Sequence, residues 1–164
     1  MLTITDIGKF SDHEYEAFCT IWGNKVSIYI DISVPDADIE QCLPAINAKL
    51  RRLDAGKTEL FKALREDGDD IVQLAEEWVT SIDPEEDDEG EYYLTNKGEK
   101  VRLPLDPQEL YNNLSVEGIT VYYDAEDDIM LDLFIDFSVD YFAGHSIEAF
   151  LEADDSFSVN GLAG

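Results

Sequence analysis

Nine consecutive residues, Ile129-Met130-Leu131-Asp132-Leu133-Phe134-Ile135-Asp136-Phe137, alternate with a period of two and constrain the fold more than any other stretch. Ile129, Leu131, Leu133, Ile135 and Phe137 share one face; Met130, Asp132, Phe134 and Asp136 share the other. Successive side chains on an extended backbone point to opposite sides, so the run reads as a strand with one apolar and one mixed face. The β-branched and aromatic run Ile119 to Tyr123 precedes it across the polar, hairpin-length segment Asp124 to Asp128. Beyond it, Ile147, Ala149 and Leu151 alternate with Ser146, Glu148, Phe150 and Glu152, and Asp154-Asp155-Ser156 turns the chain towards Phe157 to Val159. Short links join antiparallel neighbours, so four strands in meander order are expected.

A second pair of strands is expected near the N-terminus. Tyr15 to Trp22 and Lys25 to Ser33 flank Gly23-Asn24, a turn pair suited to positive φ. With those two residues as the loop, Trp22 pairs with Lys25, Ile21 with Val26, Cys19 with Ile28 and Ala17 with Ile30. One face then carries Ala17, Cys19, Ile21, Val26, Ile28 and Ile30, and a slip of one residue would mix the faces. Leu2 to Phe10 reads as a short first strand.

The middle of the chain reads as helical. Asp38 to Gln41 has the spacing of a capping box, and Ile39, Cys42, Leu43, Ile46, Leu50 and Leu53 recur at helical intervals. Pro44 conflicts with that pattern, since it lacks a backbone donor; the helix is expected to start near Cys42 or to kink there. Leu60, Phe61 and Leu64 mark a second helix, and Ile71, Leu74, Ala75 and Trp78 a third, each with one apolar stripe that lies on a sheet. Residues 83–91, rich in acids and without an apolar residue, read as a mobile loop. Asn96-Lys97-Gly98 marks a hairpin tip between Tyr92-Tyr93 and Val101-Leu103, and Asp106-Pro107 opens a short helix from Gln108 to Leu114.

Charge narrows the partners. The chain carries 38 acids against 11 bases, a net −27. A field of that sign disfavours nucleic acid and anionic membrane and attracts basic proteins or cations. Two cysteines, Cys19 on a strand pattern and Cys42 on a helix pattern, read as small core residues. No basic leader followed by an apolar stretch and no membrane-length apolar run is seen, so a cytoplasmic location is the default expectation.

The strands at the C-terminal end are joined by Asp140-Tyr141-Phe142-Ala143-Gly144-His145-Ser146-Ile147. At this element the sequence resembles a bacterial family catalogued as domain of unknown function 2262, in which a strand leads into an aspartate, an apolar pair and a Gly-His-x-Ile ending. The resemblance extends upstream through the N-terminal hairpin, the acid-rich helical middle and the stretch Leu114 to Tyr123. Ala143 departs from it, standing where a larger residue is expected. The resemblance implies a fold and carries no activity to transfer.

The candidate sites divide between chemistry and binding. His145 lies near Asp140, Glu148 and Asp136, so a histidine–carboxylate pair is conceivable, but no nucleophile sits at a recognisable spacing. In the structural alternative Gly144 permits a tight bend and the imidazole caps it. His13 reads as exposed. Gly56-Lys57-Thr58 is not a phosphate loop, because Arg51 occupies the position of its first glycine. Asp124, Glu126, Asp127 and Asp128 lack the spacing of a calcium loop, and zinc would need histidine and cysteine pairs, so neither metal nor cofactor is expected. Phe18, Trp22, Tyr29 and Phe134 fall on the mixed strand faces; left uncovered, they would make a protein-binding patch, while a second layer from the middle segment would bury them.

The expected fold is therefore one α+β domain over residues 1–164, with an antiparallel sheet from the N-terminal hairpin and the C-terminal meander and the helices of residues 39–81 on one face. The expected function is a non-enzymatic acidic module that captures a basic protein, with Phe18, Trp22, Tyr29, Phe134, Gly144 and His145 as its binding candidates. A bacterial immunity protein against a cationic toxin is the concrete version. The alternative is a small hydrolase or isomerase centred on His145 and Asp140.

Overall fold

The computed structural model describes residues 5–163. Three strands come first: β1 (Thr5–Lys9), β2 (Glu14–Ile21) and β3 (Asn24–Ile32). The helices α1 (Ile39–Ala55), α2 (Lys57–Glu66) and α3 (Ile71–Thr80) follow, then the short strands β4 (Glu85–Asp87), β5 (Gly90–Leu94) and β6 (Lys100–Val101). Helix α4 (Pro107–Asn113) leads into β7 (Leu114–Ala125), β8 (Asp128–Phe137), β9 (Ser146–Leu151) and β10 (Phe157–Ala163). The main sheet runs β1-β2-β3-β7-β8-β9-β10, and β4-β5-β6 form a separate small sheet. The fold is α+β, with the meander β7 to β10 in sequence order. Of the expected first strand, residues 1–4 lie outside the described residues.

The sheet departs from a wholly antiparallel arrangement at one junction. β3 and β7 pair in parallel, with Ile28 opposite Ile119 and Ile30 opposite Val121. The cause is the long connection between them: a crossover through helices can bring the chain back to the end of the sheet where the previous strand began. The N-terminal hairpin and the C-terminal meander meet along this seam.

The hairpin turn is Trp22-Gly23 rather than Gly23-Asn24. Ile21 pairs with Asn24, Cys19 with Val26 and Ala17 with Ile28, two residues away from the expected register. Both turn residues have positive φ, 48° for Trp22 and 81° for Gly23, the mirror-image turn whose twist suits a hairpin. A shift of two preserves parity, so the faces remain as expected. Tertiary contacts fix the turn: the Trp22 main-chain N–H donates to Asp54 Oδ1 at 2.7 Å, and its indole N–H to the Leu53 carbonyl at 3.3 Å. These bonds offset the strain of a left-handed, non-glycine residue, which costs roughly 1–2 kcal/mol.

Helix α1 starts at Ile39, before Cys42, and continues through Pro44. Asp38 caps it, its carboxylate accepting from the Glu40 N–H at 3.1 Å. The donor that Pro44 lacks would have met the carbonyl of Glu40, an exposed residue where water can substitute. Ile46, Leu50 and Leu53 of α1, Leu60 and Leu64 of α2 and Ala75 and Val79 of α3 are buried against the apolar strand face. Opposite them lie Ile28, Ile30, Val121, Leu131, Leu133, Ile135, Ala149 and Leu151, also buried. Each Leu or Ile contributes roughly 1.5–3 kcal/mol on leaving water, so the helix layer is held by this stripe. Cys19 and Cys42 belong to the same core and are unbridged, and burial pushes the Cys19 thiol up to about 12.

The acidic run 83–91, expected as a loop, carries the hairpin of β4 and β5. Glu85 pairs with Tyr92 and Asp87 with Gly90, and β5 in turn pairs with β6 through Tyr93 and Val101. Repulsion is met by two bases from β6 and its C-terminal flank. Lys100 Nζ lies 2.9 Å from Asp87 Oδ2, and Arg102 pairs with the same carboxylate. Those two cations, Lys100 foremost, hold the Asp87 carboxyl well below the usual carboxylate range. Arg102 also donates to the Gly90 carbonyl at 3.1 Å.

Candidate functional site

The strand alternation that packs one face of the sheet against the helices leaves the other face open. Residues Glu14, Glu16, Phe18, Ser27, Tyr29 and Asp31 of β2 and β3 point outward, as do Thr120, Tyr122, Met130, Asp132, Phe134 and Asp136 of β7 and β8. Glu148 and Phe150 of β9 continue the surface. None of these side chains is buried; all are half-buried or exposed, shaded by neighbours on the same pleat rather than by a covering element. Of the aromatic candidates, Phe18, Tyr29 and Phe134 come together here. Trp22 does not, because its indole is turned onto the end of α1 and Lys57 sits 5.6 Å from its ring.

Pairing sets the pattern of the face. Asp132 lies opposite Phe150, and Phe134 opposite Glu148. Two carboxyls therefore occupy one diagonal of a square on β8 and β9, and two phenyl rings the other. Across the remaining strands Asp132 lies beside Thr120, which lies beside Tyr29. Burial first, and then the neighbouring Glu148 carboxyl, raise the Asp132 carboxyl to about 6. Asp132 Oδ1 is shielded from solvent and meets no donor. Glu148 is held from the side by Asn160, whose Nδ2 donates to it at 2.6 Å. At the other end of the face the Tyr29 hydroxyl is pushed up to about 12, above all by its hydrogen bond to Glu14. Phe10 packs edge-on to the Tyr29 ring at 6.3 Å. Lys25, 4.4 Å from the Phe18 ring, is the one base among the described residues that point outward from β2, β3, β7, β8 and β9.

The other candidates sit in the connection between β8 and β9, apart from this face. Asp140 is buried, and its Oδ1 accepts the Gly144 main-chain N–H at 2.7 Å. Ala143 and Gly144 both turn left-handed, with φ of 53° and 86°, so the bend demands glycine at one of its corners. The cap that sequence reasoning gave to the imidazole thus belongs to Asp140. His145 instead rests on Trp78 of α3, ring centroids 5.2 Å apart, and Trp78 also meets Phe142 edge-on. Glu99 ties the bend to the small sheet, its Oε1 accepting from the Asp140 N–H at 3.0 Å and from the Thr95 hydroxyl at 2.6 Å.

Asp132 and Phe150 were not singled out by sequence reasoning, which weighed Glu148 only as a carboxylate near His145. Period-two alternation places each on its outward face, but the pairing that sets the carboxyls diagonally across from one another depends on the register of β8 against β9. Among the described residues, no group of histidine, cysteine, aspartate or glutamate side chains is arranged to hold a metal ion, and no helix is long and apolar enough to cross a membrane.

The profile of a bacterial family, described as uncharacterized protein conserved in bacteria (DUF2262), matches residues 5–162. The chain belongs to this family. Its match runs from β1 to β10, so it takes in both the open sheet face and the bend with Asp140 and His145. No curated protein and no solved structure matches the chain.

Proposed function

We propose that this chain is a non-enzymatic binding module that captures a basic protein. The observation that carries the reading is the open face of the main sheet, where Phe18, Tyr29, Phe134 and Phe150 lie among carboxylates with Lys25 as their one outward-pointing base. Flat aromatic surface supplies contact area with little conformational entropy to lose, while carboxylates set the sign of the partner. The net charge of −27 would draw such a partner in from a distance. Neutralisation of a cationic toxin in the bacterial cytoplasm is the concrete form of this role, and the bacterial distribution of the family is compatible with it. The enzymatic reading centred on His145 gains nothing from the geometry, since Asp140 is committed to the Gly144 N–H and the imidazole packs at a tilt against Trp78.

The test is affinity capture from native bacterial cytosol followed by kinetics on the captured protein. The expected partner is basic, and its association slows markedly between low and physiological salt, because charges beyond about 8–10 Å are then screened. A partner that is acidic or neutral, or an association rate indifferent to salt, contradicts the reading.

A further inference from the structure

We propose that the partner docks on the β8–β9 part of the open face through a basic segment interspersed with apolar side chains, its arginine or lysine heads reaching Asp132 and Glu148 and its apolar groups covering Phe134 and Phe150. This rests on the binding role above and names its surface and the chemistry of the occupant. Three observations select this area. The strand register sets the two carboxyls and the two rings on opposite diagonals of one square, so cationic and apolar contacts alternate at the spacing of neighbouring strands. Asp132 meets no donor within the chain and shares its side of the sheet with the Glu148 carboxyl, so the pair has no cation of its own and an N–H arriving from the open side would supply one. Lastly, the next outward carboxyl on β8, Asp136, and those farther across the same face, Asp31 on β3 and Glu16 on β2, all carry the sign that a basic segment complements.

The same features argue against a second copy of the chain as the occupant, because two such faces would oppose carboxylate to carboxylate. The raised Asp132 carboxyl supports the choice of a cation: its ionised form is under-stabilised in the free chain and gains most from a positive neighbour. Its surroundings are Glu148 and Phe150 from β9, Thr120 from β7, and Met130, Phe134 and Asp136 from its own strand; none brings a positive charge.

The experiment is calorimetric titration of the full chain, at physiological salt, with a short synthetic peptide alternating arginine and leucine. Two double variants with equal loss of charge are compared: Asp132→Asn with Glu148→Gln on the open face, and Asp83→Asn with Glu86→Gln on the acidic hairpin. Circular dichroism first confirms that both fold. The open-face pair is expected to weaken binding roughly tenfold or more, and the hairpin pair less than about twofold. Equal weakening by the two pairs overturns this surface while leaving a basic partner in place. No binding by the unaltered chain overturns the binding role itself. Concentration-dependent dimerisation of the unaltered chain, abolished by Phe134→Ser, would show that a second copy covers the face and would likewise refute the inference.

Discussion

Asp140 and His145 are neighbours in one bend, and the structure assigns them unequal energetic weight. Asp140→Ala removes a buried carboxylate that accepts the Gly144 N–H at 2.7 Å. A hydrogen bond to a charged group contributes about 1.5–3 kcal/mol, which sets the scale of the loss. His145→Ala removes a half-buried ring that rests on Trp78, a contact of about 1 kcal/mol. For a chain of this length each kcal/mol moves the melting temperature by about 2–4 °C. Asp140→Ala should therefore lower Tm by roughly 3–12 °C and His145→Ala by about 2–4 °C. Asp140→Asn, which keeps an acceptor without its charge, should fall between the two. Differential scanning calorimetry on the three variants decides the matter. If His145→Ala proves the more damaging, the imidazole does more than pack against Trp78, and Asp140 is not what holds the bend.

Other outcomes follow from the same geometry. Because the folded-state Asp132 carboxyl is raised to about 6, the folded chain binds more protons than the unfolded one between about pH 4 and 6, so this group's contribution favours folding at low pH and is lost as pH rises. Asp132→Asn should therefore stabilise the chain near neutral pH, by about 1 kcal/mol after solvent screening, and by much less near about pH 4; urea unfolding at the two pH values tests this, and equal effects would refute it. Lys49 is buried and donates to the Glu152 and Ala153 carbonyls and, at 2.8 Å, to Asp155. Lys49→Met should cost about 1–3 kcal/mol by removing the charged donor that ties α1 to the turn between β9 and β10, and an unchanged denaturation midpoint would contradict that role. Gly23→Val places a β-branched side chain at φ 81° and should cost on the order of 1–3 kcal/mol in thermal unfolding.

What the sequence reveals here is parity; what it conceals is registration. The alternation of Ile129 to Phe137 and of Ala17 to Ile30 assigns every buried strand residue to its side, and the structure keeps those assignments although the hairpin turn sits one residue earlier than expected. The shift came from Trp22 binding the end of α1, a contact more than thirty residues away that no local turn preference can anticipate. Residues 83–91 look repulsive in isolation because the cations that organise them, Lys100 and Arg102, lie beyond the next turn. The parallel seam between β3 and β7 depends on where a long helical connection delivers the chain, not on either strand's own pattern. In the candidate surface, Phe18, Tyr29 and Phe134 were legible as outward-facing aromatics. Asp132 was legible only as part of a mixed strand face and Glu148 only as a carboxylate near His145, until the β8–β9 register set the two diagonally across from each other. His145 drew attention through its rarity and its glycine, whereas the chain uses the aspartate five residues earlier to shape that bend.

Carbodiimide labelling of carboxyl groups, read by mass spectrometry with and without the captured basic protein, tests the central claim most directly. The account requires Asp132, Asp136 and Glu148 to be shielded by the partner while the exposed acids of the hairpin, Asp83 and Glu86, label as in the free chain. Shielding confined to the hairpin, or spread evenly over both, would contradict it.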